Sequence, residues 1–117
     1  MFIRIGTRSS RLAILQAEEV RGLLTSHTFL QKSNIEIISI TTSGDKIQDR
    51  NLADIGGKGL FIKELEESLL QNKIDIAVHS AKDVPPFIHE ETELAAFSER
   101  LDAHDCLISK KFSSIKD

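Results

Sequence analysis

The segment 75–86, with the sequence DIAVHSAKDVPP, constrains the fold of this chain more than any other. Ile74, Ile76, Ala77 and Val78 form a short apolar run rich in β-branched residues, which is typical of a strand covered on both faces. Pro85 and Pro86 must lie beyond the strand, because proline donates no ladder hydrogen bond and biases the preceding residue to extended geometry. The polar residues between are His79, Ser80, Lys82 and Asp83. Ligands of open α/β sheets bind beyond the carboxyl ends of strands, so we predict a site here.

Composition limits the class of protein. With 117 residues, the chain is one domain at most or a piece of something larger. Hydrophobic residues make up 40% and charged residues 28%, as in a soluble globular protein, and a net charge of -3 does not favour nucleic acid or an anionic membrane as partner. No secretory signal or membrane-spanning run occurs in the sequence. The single cysteine, Cys106, excludes an internal disulfide and a multi-thiolate metal site, and the histidines lack metal-ligand spacing. We therefore expect a cytoplasmic protein without a metal.

Hydrophobic periodicity predicts alternating strands and helices, the order of a parallel sheet built from βαβ units. Ala13, Ala17, Val20 and Leu24 recur at helical spacing after Ser9 or Ser10, either of which is a good N-cap. The predicted elements are a strand at 2–6, a helix at 11–24, a strand at 35–40 that ends through 41–45, a mobile loop at 46–54, a helix from 60 to about 72, the strand from 74 and a further strand at 94–97.

Two glycine-containing turns have a functional and a structural interpretation. Residues 6–10 (GTRSS) join a strand to a helix, so their backbone amides and Arg8 suit an anion, although an ordinary capped helix with a solvated arginine is equally compatible. Residues 56–59 (GGKG) match neither the Walker nor the dinucleotide pattern. They can bring Lys58 and Phe61 close to a ligand, but a flexible turn is the favoured interpretation.

The Lys82–Asp83 pair also allows two interpretations. It is either a solvated ion pair or an anion anchor next to a catalytic acid or base. We expect His79 to be a hydrogen-bonded core residue and Cys106 to be inert packing. From the residues alone, the prediction is an α/β anion-binding cleft with one catalytic-looking aspartate, and both an enzyme and a binding module remain open.

Four segments in the same order and spacing resemble the porphobilinogen deaminase (hydroxymethylbilane synthase) family, and the likeness runs from about residue 4 to 109. No single segment decides the resemblance, but the combination is highly specific. The segments are IGTRSS at 5–10 with Leu12-Ala13 and Gln16-Ala17, TSGD at 42–45, GGKGLF at 56–61 with KEL at 63–65, and DIAVHSAKDVP at 75–85.

The resemblance implies a monomeric three-domain enzyme whose first two domains are alike periplasmic binding proteins. Residues 1–98 would form domain 1 and residues 99–117 the crossover and start of domain 2, with the remainder of domain 2 and domain 3 absent. Domain 1 would be a type II periplasmic-binding-protein-like α/β domain with a mixed, mostly parallel sheet flanked by helices. It would be incomplete at its C-terminus, because a strand that returns from domain 2 is missing.

The implied activity is that of a transferase of tetrapyrrole and heme biosynthesis. It joins four porphobilinogen molecules into the linear hydroxymethylbilane with loss of ammonia, on a covalently bound dipyrromethane cofactor. Asp83 matches the family's catalytic aspartate, which would stabilise the cation left when ammonia departs. The substrate- and cofactor-binding residues implied are Arg8, Ser10, Gln16, Lys58, Phe61, Ser80 and Lys82.

Departures from the family pattern limit what this chain does alone. Many relatives have proline at the position of Arg11 and lysine at that of Asp54. The arginine-rich TSSLRR segment is absent, as is the GGC segment that attaches the cofactor, and Cys106 lacks that context. The chain by itself is therefore expected to be inactive. Alternatives are a non-catalytic anion-binding module of periplasmic-binding type and an interaction fragment with a degenerate site, although Asp83 argues against degeneracy.

Overall fold

Three parallel strands, β1 (Ile3–Arg8), β2 (Ile35–Ile40) and β3 (Ile76–Ala77), form the centre of the computed structural model, which describes residues 1–46, 59–106 and 108–111. The strand order is β2-β1-β3. Ile3 is paired with Ile35 and Arg8 with Ile40, so β1 extends two residues beyond the predicted end of the strand. The α/β class is confirmed, and all strands within the described residues are parallel.

The third strand is shorter than predicted, but its pairing continues at both ends. The backbone N–H of Asp75 donates to the carbonyl oxygen of Arg4 at 2.9 Å. The N–H of Val78 donates to the carbonyl oxygen of Gly6 at 3.0 Å. Backbone hydrogen bonds therefore fix the segment from 75 to 78 against β1, and the polar residues that follow leave the sheet at a defined point.

Helix α1 (Arg11–His27) covers one face of the sheet. Ser10 is its N-cap, as predicted, and the Ser10 hydroxyl accepts a hydrogen bond from the N–H of Ala13 at 3.3 Å. The helix is three residues longer than predicted, and it ends where the N–H of Thr28 donates to the carbonyl oxygen of Leu24. The core on this face contains Ile5, Ala17, Leu30 and Ile35.

Helix α3 (Lys63–Leu70) lies on the opposite face of β1, because Gly6 points away from Ile5 and towards Leu65 and Ile74. Leu65 and Ile74 are both buried. The sequence predicts this helix from residue 60, but residues 59–62 form a turn first. Gly59 has a φ of +88°, and its carbonyl oxygen accepts from the N–H of Ile62 at 3.3 Å.

A short helical turn, α2 (Ser43–Lys46), follows β2 where the sequence predicts the end of a strand. The N–H of Lys46 donates to the carbonyl oxygen of Thr42 at 3.2 Å, which bends the chain away from the sheet. Lys46 is thus helical and not part of a loop, and the rest of the predicted mobile loop, 47–54, lies outside the described residues.

The predicted strand at 94–97 is wrong. These residues form no strand, and the side chains of Leu94 and Phe97 are 52% and 71% exposed. A strand requires a neighbouring strand for its backbone hydrogen bonds, and residues 94–97 do not pair with the outer edge of either β2 or β3. Apolar residues of β propensity therefore do not form a strand here.

Candidate functional site

The carboxyl ends of the three strands bring polar side chains to one edge of the sheet. Arg8 is the last residue of β1, Asp45 lies in α2 directly after β2, and Asp83 ends a 3₁₀ turn (Ala81–Asp83) after β3. Parallel strands place their carboxyl ends on the same side, so residues distant in sequence meet here. This is the edge at which the sequence predicts a site.

Arg8 is the centre of the cluster. Its Nε atom donates to Oδ1 of Asp45 at 3.1 Å, and its Nη2 atom lies 2.5 Å from the same oxygen. Its guanidinium carbon lies 4.0 Å from the centroid of the Phe61 ring, within the range of a cation–π interaction. Its Nη1 atom lies 3.9 Å from Oδ2 of Asp83. Arg8 therefore contacts elements that follow both neighbouring strands.

Asp45 is held independently of Arg8. Its Oδ2 atom accepts a hydrogen bond from the Thr42 hydroxyl at 2.7 Å and one from the Thr42 N–H at 3.2 Å. Burial raises the pKa of Asp45, but the hydrogen bonds from Arg8 and Thr42 outweigh burial and hold the pKa below its ordinary value. The carboxylate is thus ionised and fixed on two sides.

The position of α2 is set by the segment that leads into α3. The N–H of Ser43 donates to Oε1 of Glu64 at 2.8 Å, and the Ser43 hydroxyl donates to the same oxygen. The N–H of Gly44 donates to the carbonyl oxygen of Leu60 at 2.8 Å. Burial raises the pKa of Glu64, but the hydrogen bonds from Ser43 and the charge of Lys46 bring the pKa below its ordinary value.

Asp83 has the open carboxylate of the cluster. Its N–H donates to the carbonyl oxygen of Ser80 at 3.0 Å, which fixes the backbone, and its side chain is 20% exposed. Within the described part of the chain, no residue donates a hydrogen bond to its carboxylate, and its nearest ionic contact is Arg8. Asp83 lines a depression of about 20 Å³ with Arg8 and a larger one of about 320 Å³ with Phe61. The acceptor positions of Asp83 are therefore available to a ligand.

Ser80 and Gln16 connect the third strand to α1. The Gln16 Nε2 atom donates to the Ser80 hydroxyl at 3.1 Å. The same hydroxyl donates to Oε1 of Gln16 at 3.2 Å. Both residues line the smaller depression together with Ser10. This hydrogen bond fixes the start of the turn that carries Asp83.

His79 is partly buried beside the same depression. Burial lowers the pKa of His79, and the positive charge of Arg8 lowers it further. The negative charges of Asp83 and Glu66 act in the opposite direction but do not cancel the lowering. The ring makes no hydrogen bond to any described residue, so the predicted hydrogen-bonded core histidine is only partly correct: His79 is packed, but its ring is not paired.

The structure brings together most of the predicted site residues. Arg8, Ser10, Gln16, Ser80 and Asp83 line the smaller depression, and Phe61, Lys82 and Asp83 line the larger one. Lys82 is exposed. Lys58 lies outside the described residues, so its predicted role stays a prediction.

Sequence reasoning missed Asp45, Thr42 and Glu64 as parts of the cluster. A signal for Asp45 was present, since it follows the carboxyl end of β2, next to the end of β1 that carries Arg8. Glu64 lies in one of the segments that carry the family resemblance, but nothing in the sequence paired it with Ser43, which is 21 residues away and belongs to another element.

The remaining chemical features lie away from this edge. The interpretation of Cys106 as packing is wrong: the thiol is exposed, because the segment around it forms no helix or strand that would cover it.

Among the residues described, no group of three or more His, Cys, Asp or Glu side chains is placed to bind a metal ion. No helix in the described ranges is long and apolar enough to cross a membrane.

Comparison with known proteins gives a family. The family model described as "Porphobilinogen deaminase, dipyromethane cofactor binding domain" matches residues 3–117. The chain belongs to the porphobilinogen deaminase family. The domain that it matches is named for the binding of a dipyrromethane cofactor, in agreement with the cofactor that the sequence resemblance implies.

Individual relatives agree with this membership. The chain is 53% identical to a porphobilinogen deaminase of Nitrobacter hamburgensis, with 97% of the chain and 36% of the relative covered. It is 52% identical to that of Orientia tsutsugamushi, with 100% and 38% covered. It is 53% identical to a chloroplastic porphobilinogen deaminase of Pisum sativum, with 98% and 32% covered. The chain thus spans about a third of the length of these relatives.

Proposed function

We propose that this chain provides the cofactor-binding and catalytic domain of a hydroxymethylbilane synthase, a transferase that condenses four porphobilinogen molecules into a linear tetrapyrrole with loss of ammonia. The observation that carries the proposal is the state of Asp83. Its carboxylate is largely covered, lies next to Arg8 and accepts no hydrogen bond from the described residues. A carboxylate in this state suits a substrate that presents pyrrole N–H groups and develops positive charge.

Asp83 performs two tasks in this proposal. Its oxygens accept hydrogen bonds from pyrrole N–H groups, which orients the reacting ring. Its negative charge stabilises the positive charge that develops as ammonia leaves, and a fixed, partly desolvated carboxylate does this better than water. The Ser80 carbonyl that holds the Asp83 backbone limits the reorganisation needed during the reaction.

The cations and hydroxyl groups around Asp83 suit the acetate and propionate groups of the substrate. Lys82 is exposed beside the larger depression and is free to turn towards a carboxylate. The Nε–Nη2 edge of Arg8 is already bound to Asp45, so a ligand carboxylate would meet Arg8 through Nη1. Lys58 remains a proposed third cation.

The described residues also fit a dipyrromethane group. The larger depression has about 320 Å³ of space, an aromatic ring from Phe61 and the open acceptors of Asp83. Asp83 and Lys82 would hold the group, with Ser10, Gln16 and Ser80 lining the adjoining surface. When bound, the group supplies the nucleophilic pyrrole carbon on which the chain of rings grows. We propose that its cysteine lies outside this chain and is not Cys106.

The wider organisation follows from the same proposal. Residues 1–98 form domain 1 with a type II periplasmic-binding-protein-like fold, and residues 99–117 begin the crossover to a second domain. The βαβ order and the parallel sheet support this fold. The exposed apolar side chains of Leu94 and Phe97 at the end of domain 1, and of Leu101 in the crossover, support a need for further protein to cover these segments. A monomeric, cytoplasmic enzyme stays a prediction.

A hybrid protein tests the proposed function, with this chain in place of the matching 38% of the Orientia tsutsugamushi relative. The hybrid should consume porphobilinogen and form hydroxymethylbilane. Asp83→Asn should lower kcat by about 100- to 1,000-fold with little change in thermal unfolding. Glu19→Gln, which removes an exposed carboxylate on α1, is the matched control and should leave kcat unchanged.

Two results would count against the proposal. A folded hybrid that binds porphobilinogen without turnover would favour a non-catalytic anion-binding module. Near-normal kcat in the Asp83→Asn hybrid would remove Asp83 from the catalytic role.

A further inference from the structure

Arg8 makes two very different contacts with the two aspartates of the site. Asp45 occupies the Nε–Nη2 edge of the guanidinium, with distances of 3.1 Å and 2.5 Å to Oδ1. Asp83 lies 3.9 Å from Nη1, beyond hydrogen-bond distance but close enough for an electrostatic effect. Arg8 therefore donates to one carboxylate and only faces the other.

The Nε–Nη2 edge of Arg8 offers two N–H groups to a carboxylate, and both are directed at Oδ1 of Asp45. Either aspartate would be a suitable partner for this edge, since both carboxylates lie within 4 Å of the same guanidinium. We infer that Asp45 is a positioning residue, which engages the Nε–Nη2 edge of Arg8 and thereby keeps Arg8 from closing on Asp83. The Asp83 oxygens then stay open to a ligand while the positive charge of Arg8 remains close to them.

Asp45 is placed to win this competition. Thr42 donates two hydrogen bonds to its Oδ2 atom, so the carboxylate does not need to move to meet Arg8. The α2 turn that carries Asp45 is itself fixed by Glu64 through Ser43. Asp83 receives no comparable hydrogen bonds from the described residues. The better-fixed carboxylate forms the pair.

Phe61 restricts the remaining freedom of Arg8. The guanidinium lies over its ring at 4.0 Å, and the ring in turn packs against Gly44, where an added Cβ atom would lie 2.4 Å from Cε1 of Phe61. The ring therefore limits movement of the guanidinium on its own side. Movement towards Asp83 is what the bond to Asp45 opposes.

The first test reads Arg8 directly and does not depend on activity. In the ¹⁵N-arginine-labelled hybrid, the Arg8 Nε–H signal is assigned by its loss in Arg8→Lys, and its exchange with water is measured. Asp83→Asn alone should change that exchange by less than about twofold, because Asp45 holds the group. Asp45→Ala should shift the signal as Arg8 moves to Asp83, and the double variant should exchange at least about tenfold faster.

The matched control is Asp75→Ala. Asp75 binds the Nε and Nη2 atoms of another arginine, Arg4, at 3.0 Å and 2.8 Å through its two carboxylate oxygens, outside this cluster. Its removal should leave the Arg8 signal unchanged. If circular dichroism shows that Asp45→Ala does not fold, Asp45→Asn replaces it, since the amide keeps the shape of the side chain and removes its charge.

The second test is kinetic and rests on the proposed function. Asp45→Ala should lower kcat by about 10- to 100-fold with KM within about threefold, because Asp83 is occupied by Arg8 rather than lost. In an Arg8→Gln background, the same change should have little further effect. Asp75→Ala should retain kcat.

The outcomes separate the two proposals. If Asp45→Ala leaves the Arg8 signal unmoved, the positioning role is overturned whatever the activity. It is also overturned if Asp83→Asn alone makes the Arg8 Nε–H exchange rapidly with water. If the Arg8 signals behave as expected but Asp45→Ala leaves kcat unchanged, the positioning role of Asp45 in turnover is overturned. A parent hybrid without turnover contradicts the proposed function, while the Arg8 signals still decide whether Asp45 holds Arg8 away from Asp83.

Discussion

Gly6 in the middle of β1 packs directly against Ile74: a Cβ atom on Gly6 would lie 2.3 Å from Cδ1 of Ile74 and 3.1 Å from Cδ2 of Leu65. Ile74 and Leu65 are both buried, so an added methyl group would have to displace packed core side chains. The close approach brings α3 onto the strand that ends in Arg8. The position of this glycine thus links the packing of the core to the geometry of the site.

Gly6→Ala should lower the free energy of unfolding by about 1–3 kcal/mol, as is usual when a methyl group is forced into a packed core. Gly22→Ala is the matched control, because Gly22 lies on the exposed face of α1 with no atom within 4 Å of an added Cβ. That change should raise stability by about 0.5–1 kcal/mol through helix propensity. Urea unfolding of both variants checks the contrast. Equal effects of the two substitutions would disprove the close packing at Gly6.

The hydrogen-bonded pair Gln16–Ser80 should show energetic coupling, since the two side chains donate to and accept from each other across 64 residues of sequence. A double-mutant cycle with Gln16→Ala and Ser80→Ala should give a coupling energy of about 0.5–1.5 kcal/mol. The measurement is the free energy of unfolding of the parent, both single variants and the double variant. Additive effects would mean that the pair does not hold the turn of Asp83 against α1.

His79 should make stability depend on pH below neutrality. Burial lowers its pKa below the ordinary value of 6.5, against the opposing effects of Asp83 and Glu66. As the pH falls below about 6.5, the unfolded chain therefore binds a proton before the folded one does. The free energy of unfolding should fall over this range and level off below the pKa of the folded state.

His79→Gln should remove this part of the pH dependence, because glutamine does not titrate. The check is urea unfolding between pH 8 and pH 5 for the parent and the variant. A variant that keeps the full slope of the parent would assign the pH dependence to other groups.

Local sequence patterns were enough to predict much of the fold. Ala13, Ala17, Val20 and Leu24 at helical spacing predict α1, and the serine before it predicts the N-cap. The apolar run at 74–78 predicts β3, but the strand leaves the sheet several residues before the two prolines expected to end it. Segment 94–97 shows the limit, because its β-forming residues are exposed and unpaired among the described residues. Whether a strand forms depends on whether the fold brings the segment alongside another strand, which no local pattern reports.

The sequence by itself determined the α/β class and the family and predicted Asp83 as the catalytic acid, since these depend on residue types and on spacing along the chain. Only the tertiary structure decided what Arg8 does. Its partner Asp45 is 37 residues away, and the choice between Asp45 and Asp83 follows from a difference between 2.5 Å and 3.9 Å. Distances of that size are set by how α2 and α3 pack beside the sheet. Hydrogen bonds and ion pairs are short-range, so packing decided which of two acids binds the arginine.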